Sequence, residues 1–216
     1  MDQTSHKQSW YYKFRMIKPF KPAYDKSLHI GAWIIDPKIC DNILKYLNQN
    51  KKIMSQGTVG REEYKKDMKE SRELYIQWQR IDHPWGEYRN ALQDCLASYE
   101  KNYPEVGGLN KFNILENYNL QYYEPGGGFK TWHFERNGVG LTNAKRCLAF
   151  MTYLYDVEDA GTEFLYQKIT TPCKKGLTLI WPADWTHTHK SQINPKKNKA
   201  IVTGWYSYDM EANESN

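Results

Sequence analysis

From Phe112 onward the chain is cut into short apolar stretches, each ended by glycine, proline, asparagine or aspartate, and this punctuation restricts the possible folds more than any other feature. The stretches fall at 112–123, 129–134, 146–155, 163–167, 177–181, 185–189 and 199–208, lengths and boundaries that predict strands. Short strands at this spacing fit a sandwich or jelly roll.

The first half is patterned differently. Leu28 to Ile35 predicts a strand. Asp36-Pro37 then offers a cap and a first-turn proline, and Ile39, Ile43, Leu44 and Leu47 recur at helical spacing behind it. A second helix is predicted after Asp82, with Trp85, Tyr88, Leu92, Cys95, Leu96 and Tyr99 as its apolar stripe, ending before Pro104. Between the helices, TVGREEYKKDMKESRELYI is charged and aperiodic, which predicts a mobile connection or an exposed helix. Helices followed by strands give segregated layers, not a βαβ fold. The expected class is α+β, with a double-stranded β-helix (jelly-roll) core and N-terminal supporting helices. No repeat or low-complexity tract marks a boundary, so the expectation is one domain over 1–216: a helical support and substrate-loop region (1–111), a core (112–208) and a tail (209–216).

Composition agrees and adds exclusions. With 216 residues, 40% hydrophobic and 25% charged, the chain can bury a sizeable core. Eight tryptophans and seventeen tyrosines favour strands and flat-walled pockets. No apolar h-region follows the N-terminus and no run is long enough to span a bilayer, so the expectation is a cytoplasmic protein with no membrane partner. Cys40, Cys95, Cys147 and Cys173 form no C-x-x-C pair, which argues against a zinc knuckle or dithiol site and for reduced, mostly buried thiols. The net charge of +5 is modest and does not choose a substrate.

The chemistry concentrates in Trp132-His133-Phe134-Glu135 and, far downstream, Trp185-Thr186-His187-Thr188-His189. On a strand, residues two apart share a face, so His133 and Glu135 can present an imidazole and a carboxylate to one ion. A distant histidine completes three ligands. Two histidines and a carboxylate on one side of a metal leave its other positions open, the arrangement of non-haem iron(II) oxygen chemistry. The same donors suit zinc. By itself H-x-E is a weak signal.

Five ordered segments add specificity: YYEPGGGFKTWHFE, RCLAFMTYLYDV, AGTEF, CKKGLTLIWPA and HKSQINPKKNKAIVTGW. Together, Tyr118 to Tyr208 resembles the catalytic jelly roll of the prolyl 4-hydroxylase-like branch of the 2-oxoglutarate and iron(II)-dependent oxygenases, over about two-fifths of the chain. The resemblance implies that His133, Glu135 and His189 hold the metal, because the family sets its distal histidine about ten residues before a basic residue, here Lys199. His187 is left as a neighbour of the ligands or a substrate-facing residue. Lys199 matches the residue that takes the distal carboxylate of 2-oxoglutarate, a charge-assisted contact, and a lone buried cation needs such an anion. Tyr153, Tyr123 and Thr203 are expected beside the co-substrate, and Arg146 on the peptide channel or in a structural ion pair. Glu135 departs from the family, which has aspartate there.

The implied activity is hydroxylation of a substrate C–H bond, with iron(II), 2-oxoglutarate and dioxygen, ascorbate as reductant, and a prolyl residue of a peptide or protein as the leading substrate. Two alternatives stand beside it. The same chemistry could act on a nucleic acid or a free amino acid, with Trp10, Tyr11, Tyr12 and Phe14 stacking on bases; or the chain is a non-catalytic jelly-roll binding module, for which Lys199 would have no use.

Overall fold

The structure is a computed structural model, in which residues 17–59, 65–108 and 111–210 are described. Trp10, Tyr11, Tyr12, Phe14 and most of the expected tail lie outside the described residues.

In chain order the strands are β1 (Ile17–Pro19), β2 (Gly31–Ile35), β3 (Ser55–Gln56), β4 (Lys69–Glu70), β5 (Arg72–Ile76), β6 (Phe112–Asn113), β7 (Tyr118–Tyr123), β8 (Gly128–Phe129), β9 (Arg146–Tyr153), β10 (Val157–Phe164), β11 (Ile169–Cys173), β12 (Leu177–Pro182), β13 (His189–Ser191) and β14 (Lys199–Tyr208). The α-helices are α1 (Pro37–Asn50), α2 (Trp85–Asn102) and the short α3 (Gly140–Ala144). A nine-stranded sheet runs β1-β2-β12-β9-β14-β7-β5-β3, with β6 pairing β14, and a three-stranded sheet runs β11-β10-β13. The pairings are antiparallel, and the two sheets form the jelly roll.

Period-two alternation divides the large sheet into two faces. Leu148 and Phe150 of β9 turn to a core shared with α1 and α2. Ala149, Met151 and Tyr153 turn to a second core, between the sheets, with Phe164, Trp181 and Ile201. The first helix starts where local chemistry allows. Asp36 Oδ1 accepts from the Lys38 amide 2.9 Å away, with Pro37 at the first helical position. In α2, the Tyr88 hydroxyl meets Thr152 on the sheet at 3.1 Å. Among the described residues, no helix is long and apolar enough to cross a membrane.

Several predicted boundaries move. The connection expected as mobile or as an exposed helix holds β4 and β5, and β5 pairs with β7 in the large sheet. Its charges misled because Lys69 and Glu73 are both buried and paired at 2.5 Å. The stretch expected as a strand over 163–167 instead ends β10 and turns back into β11, with Lys168 at φ 53°. Residues Trp185–His187 form a 3-10 turn, and the strand begins only at His189. The run 129–134 is a strand only at its start. His133 keeps a single bridge to His189, and the amides of Glu135 and Arg136 both donate to the Ala183 carbonyl.

Candidate metal centre

The bridge that ends the strand character of 129–134 is also what assembles the site. His133 and His189 exchange backbone hydrogen bonds of 3.0 and 2.9 Å, which sets their imidazoles side by side. Each Nδ1 faces a carbonyl, Thr131 at 3.0 Å and His187 at 2.9 Å. A neutral imidazole in that setting carries its proton on Nδ1 and turns an Nε2 lone pair toward a ligand. Phe129 stacks on the His133 ring at 3.5 Å between centroids, and Trp181 packs edge-on against His189.

Glu135 supplies the anionic donor. Its Oε1 lies 3.7 Å from His133 Nε2 and 3.5 Å from His189 Nε2, and all three donor atoms fall within 4.8 Å of one another. Ligand bonds of about 2.0–2.2 Å span such a triangle with little movement. Burial pushes the Glu135 carboxyl up, yet the hydrogen bond to His189, the two imidazoles and Arg146 together hold it at about 2. Burial first, then His189, holds His133 at about 3. Glu135 is therefore a carboxylate and His133 a neutral imidazole at neutral pH, the state a cation requires of its ligands.

Around the triad runs a cavity lined by Tyr123, Met151, Thr162, Ile201 and Thr203, with Asn119 and Gln121 beside them. On β14, Lys199, Ile201, Thr203 and Trp205 share the face turned to this cavity. Lys199 does not itself line it. The ammonium, 4% exposed, donates to the carbonyls of Ala160 at 3.1 Å and Gln192 at 3.5 Å, beside the Tyr123 ring. No carboxylate is within ion-pair distance of it among the described residues, and burial pushes it down to about 8. Tyr153 also stands outside the lining, exchanging hydrogen bonds with Thr162 and Thr171 at 2.6 and 2.9 Å. Thr203 donates to the Phe150 carbonyl at 3.0 Å, and Tyr123 to Gln121.

Two further sequence candidates, His187 and Arg146, are engaged by the protein itself. Of the two places expected for His187, it takes the one beside the ligands: its carbonyl faces His189 Nδ1 at 2.9 Å, while the 3-10 turn buries its ring with Nε2 against the Leu28 carbonyl at 2.9 Å. Arg146 is used up in a structural role, forked onto Glu116 at 2.6 and 2.8 Å. Sequence reasoning passed over Glu116, Lys69, Asn119 and Gln121. Alternation on β7 would have marked Asn119 and Gln121 as sharing the face of Tyr123; nothing local marked the other two.

Solved structures then place the architecture. A prolyl hydroxylase from Trichoplax adhaerens, in complex with a hypoxia inducible factor peptide fragment, superposes with a TM-score of 0.65 at 14% identity, covering 88% of each chain. The chain has the fold of a prolyl 4-hydroxylase. A Pseudomonas putida prolyl-4-hydroxylase gives a TM-score of 0.62 at 10% identity, over 83% of this chain and 92% of that one. A viral collagen prolyl hydroxylase from Paramecium Bursaria Chlorella virus-1, in its 2-oxoglutarate complex, gives 0.60 at 16% identity, over 82% and 95%. No protein-family model and no curated protein sequence matches the chain.

Proposed function

We propose that this protein is a 2-oxoglutarate- and iron(II)-dependent dioxygenase that hydroxylates a C–H bond, with a prolyl residue in a peptide or protein as its substrate. The observation that carries the reading is a pairing: three convergent metal donors, and a buried ammonium with no carboxylate within ion-pair distance among the described residues, in a prolyl-hydroxylase fold. A structural metal site has no need of the second element.

The donor set fits iron(II): two imidazoles and one carboxylate, with positions left over. Iron with 2-oxoglutarate and dioxygen supplies the oxidising power for hydroxylation, with ascorbate keeping the metal reduced. The chain supplies the rest. His133, Glu135 and His189 hold the metal, and Lys199 receives the distal carboxylate of 2-oxoglutarate as a charge-assisted donor. Tyr123 and Thr203 bound the co-substrate's space, and Tyr153 acts through Thr162, the hydroxyl that lines the cavity. The Trichoplax neighbour's peptide supports a peptide or protein as the substrate class.

The test is succinate release with iron(II), ascorbate and 2-oxoglutarate. Wild type should turn over slowly without substrate, and His133→Ala and Lys199→Ala should each lose most of it. Equal turnover in all three would end the oxygenase reading. Proline-rich peptides screened for the mass gain of one oxygen atom then test the substrate class, with oligonucleotides as the competing arm.

A further inference from the structure

The two oxygens of Glu135 are not equivalent. Oε1 faces the imidazole nitrogens, while Oε2 accepts a 2.7 Å hydrogen bond from Trp205 Nε1 and lies 3.8 Å from Arg146 Nη1. The indole is itself held in place: the Arg146 guanidinium lies flat on it, 3.5 Å from the ring centroid. That guanidinium is fixed in turn by its fork onto Glu116, and by a 3.3 Å bond to the Glu135 carbonyl.

We propose that Trp205, braced by Arg146 and Glu116, is a positioning residue that restricts Glu135 to one-oxygen coordination and so keeps a metal position free for the chelating co-substrate. This rests on the oxygenase reading and specifies a role that reading leaves open. The physical need comes from the ligand being glutamate. Its extra methylene adds a rotatable bond, and a carboxylate on a longer arm can turn both oxygens onto one cation. Oε2 is engaged in a charge-assisted hydrogen bond, about twice as strong as a neutral one, so that rotation is opposed. All three Arg146 nitrogens make bonds within the protein, Nε and Nη2 to Glu116 and Nη1 to the Glu135 carbonyl.

The arrangement separates two affinities that a merely structural residue would lower together. In Trp205→Phe the freed Oε2 can join the metal, so manganese(II), followed by the loss of its free-ion paramagnetic resonance signal, should bind as well as or better than in wild type. Titrated calorimetrically into the manganese-loaded protein, 2-oxoglutarate should bind about tenfold more weakly, the usual scale for losing a partner that orients a metal ligand. Arg146→Lys keeps the charge but loses the fork and the flat stacking, and should weaken 2-oxoglutarate in the same direction; if Trp205→Phe does not fold, this variant carries the test. The double variant should lose less than the two single losses combined, since the residues share the indole contact. Wild-type 2-oxoglutarate affinity in the variants, or a parallel loss of both ligands, overturns the proposal while the oxygenase reading stands. A wild type that takes up neither manganese nor 2-oxoglutarate overturns both.

Discussion

Burial pushes the Lys199 ammonium down to about 8, against an ordinary lysine value of 10.5. The folded value is the lower one, so between these two pH values the unfolded chain holds the proton that the folded chain sheds, and stability rises with pH across that window. The penalty is present in full below about pH 8 and has faded by about pH 10.5. Replacing the ammonium with a thioether of similar length should remove it: Lys199→Met, without ligand at pH 7, is expected to be more stable in urea unfolding by on the order of 2–3 kcal/mol. The gap between the two proteins should close as pH approaches 10.5. Ligand binding runs the other way, because a dicarboxylate requires the protonated form. Calorimetry should show the 2-oxoglutarate Kd rising about tenfold per pH unit above about 8 in wild type. Lys199→Arg should flatten that rise, since guanidinium does not titrate there.

Among the elements, the β10–β11 hairpin depends on one close approach. A Cβ on Gly161 would sit 1.6 Å from the Thr171 carbonyl oxygen, beside the register shift between Val157 and Thr162. Only a residue without a side chain lets the strands approach there. Gly161→Ala should therefore part the hairpin, disturb the hydroxyl group trio of Tyr153, Thr162 and Thr171, and cost at least about 2 kcal/mol in urea unfolding. The opposite lesson comes from β4 and β5. Lys69 and Glu73, with Ser71 between the two strands, look like solvated loop residues in sequence, but they are satisfied by one another inside the protein, Ser71 donating to Glu73 at 2.8 Å. An element whose polar groups pair internally has no periodic signature, whereas α1 announced itself by a cap, a proline and regular apolar spacing.

Across the whole molecule, the triad joins separate parts of the fold. His189 belongs to the three-stranded sheet, Glu135 is anchored beside β12 through Ala183, and its Oε2 is tied to β14 of the large sheet. A metal held by all three side chains binds the folded state alone, so saturating manganese(II) should stabilise the protein by about 2.7 kcal/mol at a hundredfold excess over Kd. Scanning calorimetry should show this as a raised Tm in wild type, and no rise in His133→Ala.

From the residues alone came the strand-rich second half, the two helices, the H-x-E pair, and, through the resemblance, His189 and Lys199 ten residues apart. These are legible because spacing, capping and turn chemistry act between near neighbours in the chain. What only the tertiary structure decided is which groups are left unpaired when the chain closes. It buries the His187 ring on a 3-10 turn, commits Arg146 to Glu116, leaves Lys199 with no carboxylate within ion-pair distance among the described residues, and makes the two oxygens of Glu135 unequal through an indole seventy residues on. Burial and partnership are properties of distant segments meeting, and no local pattern encodes them.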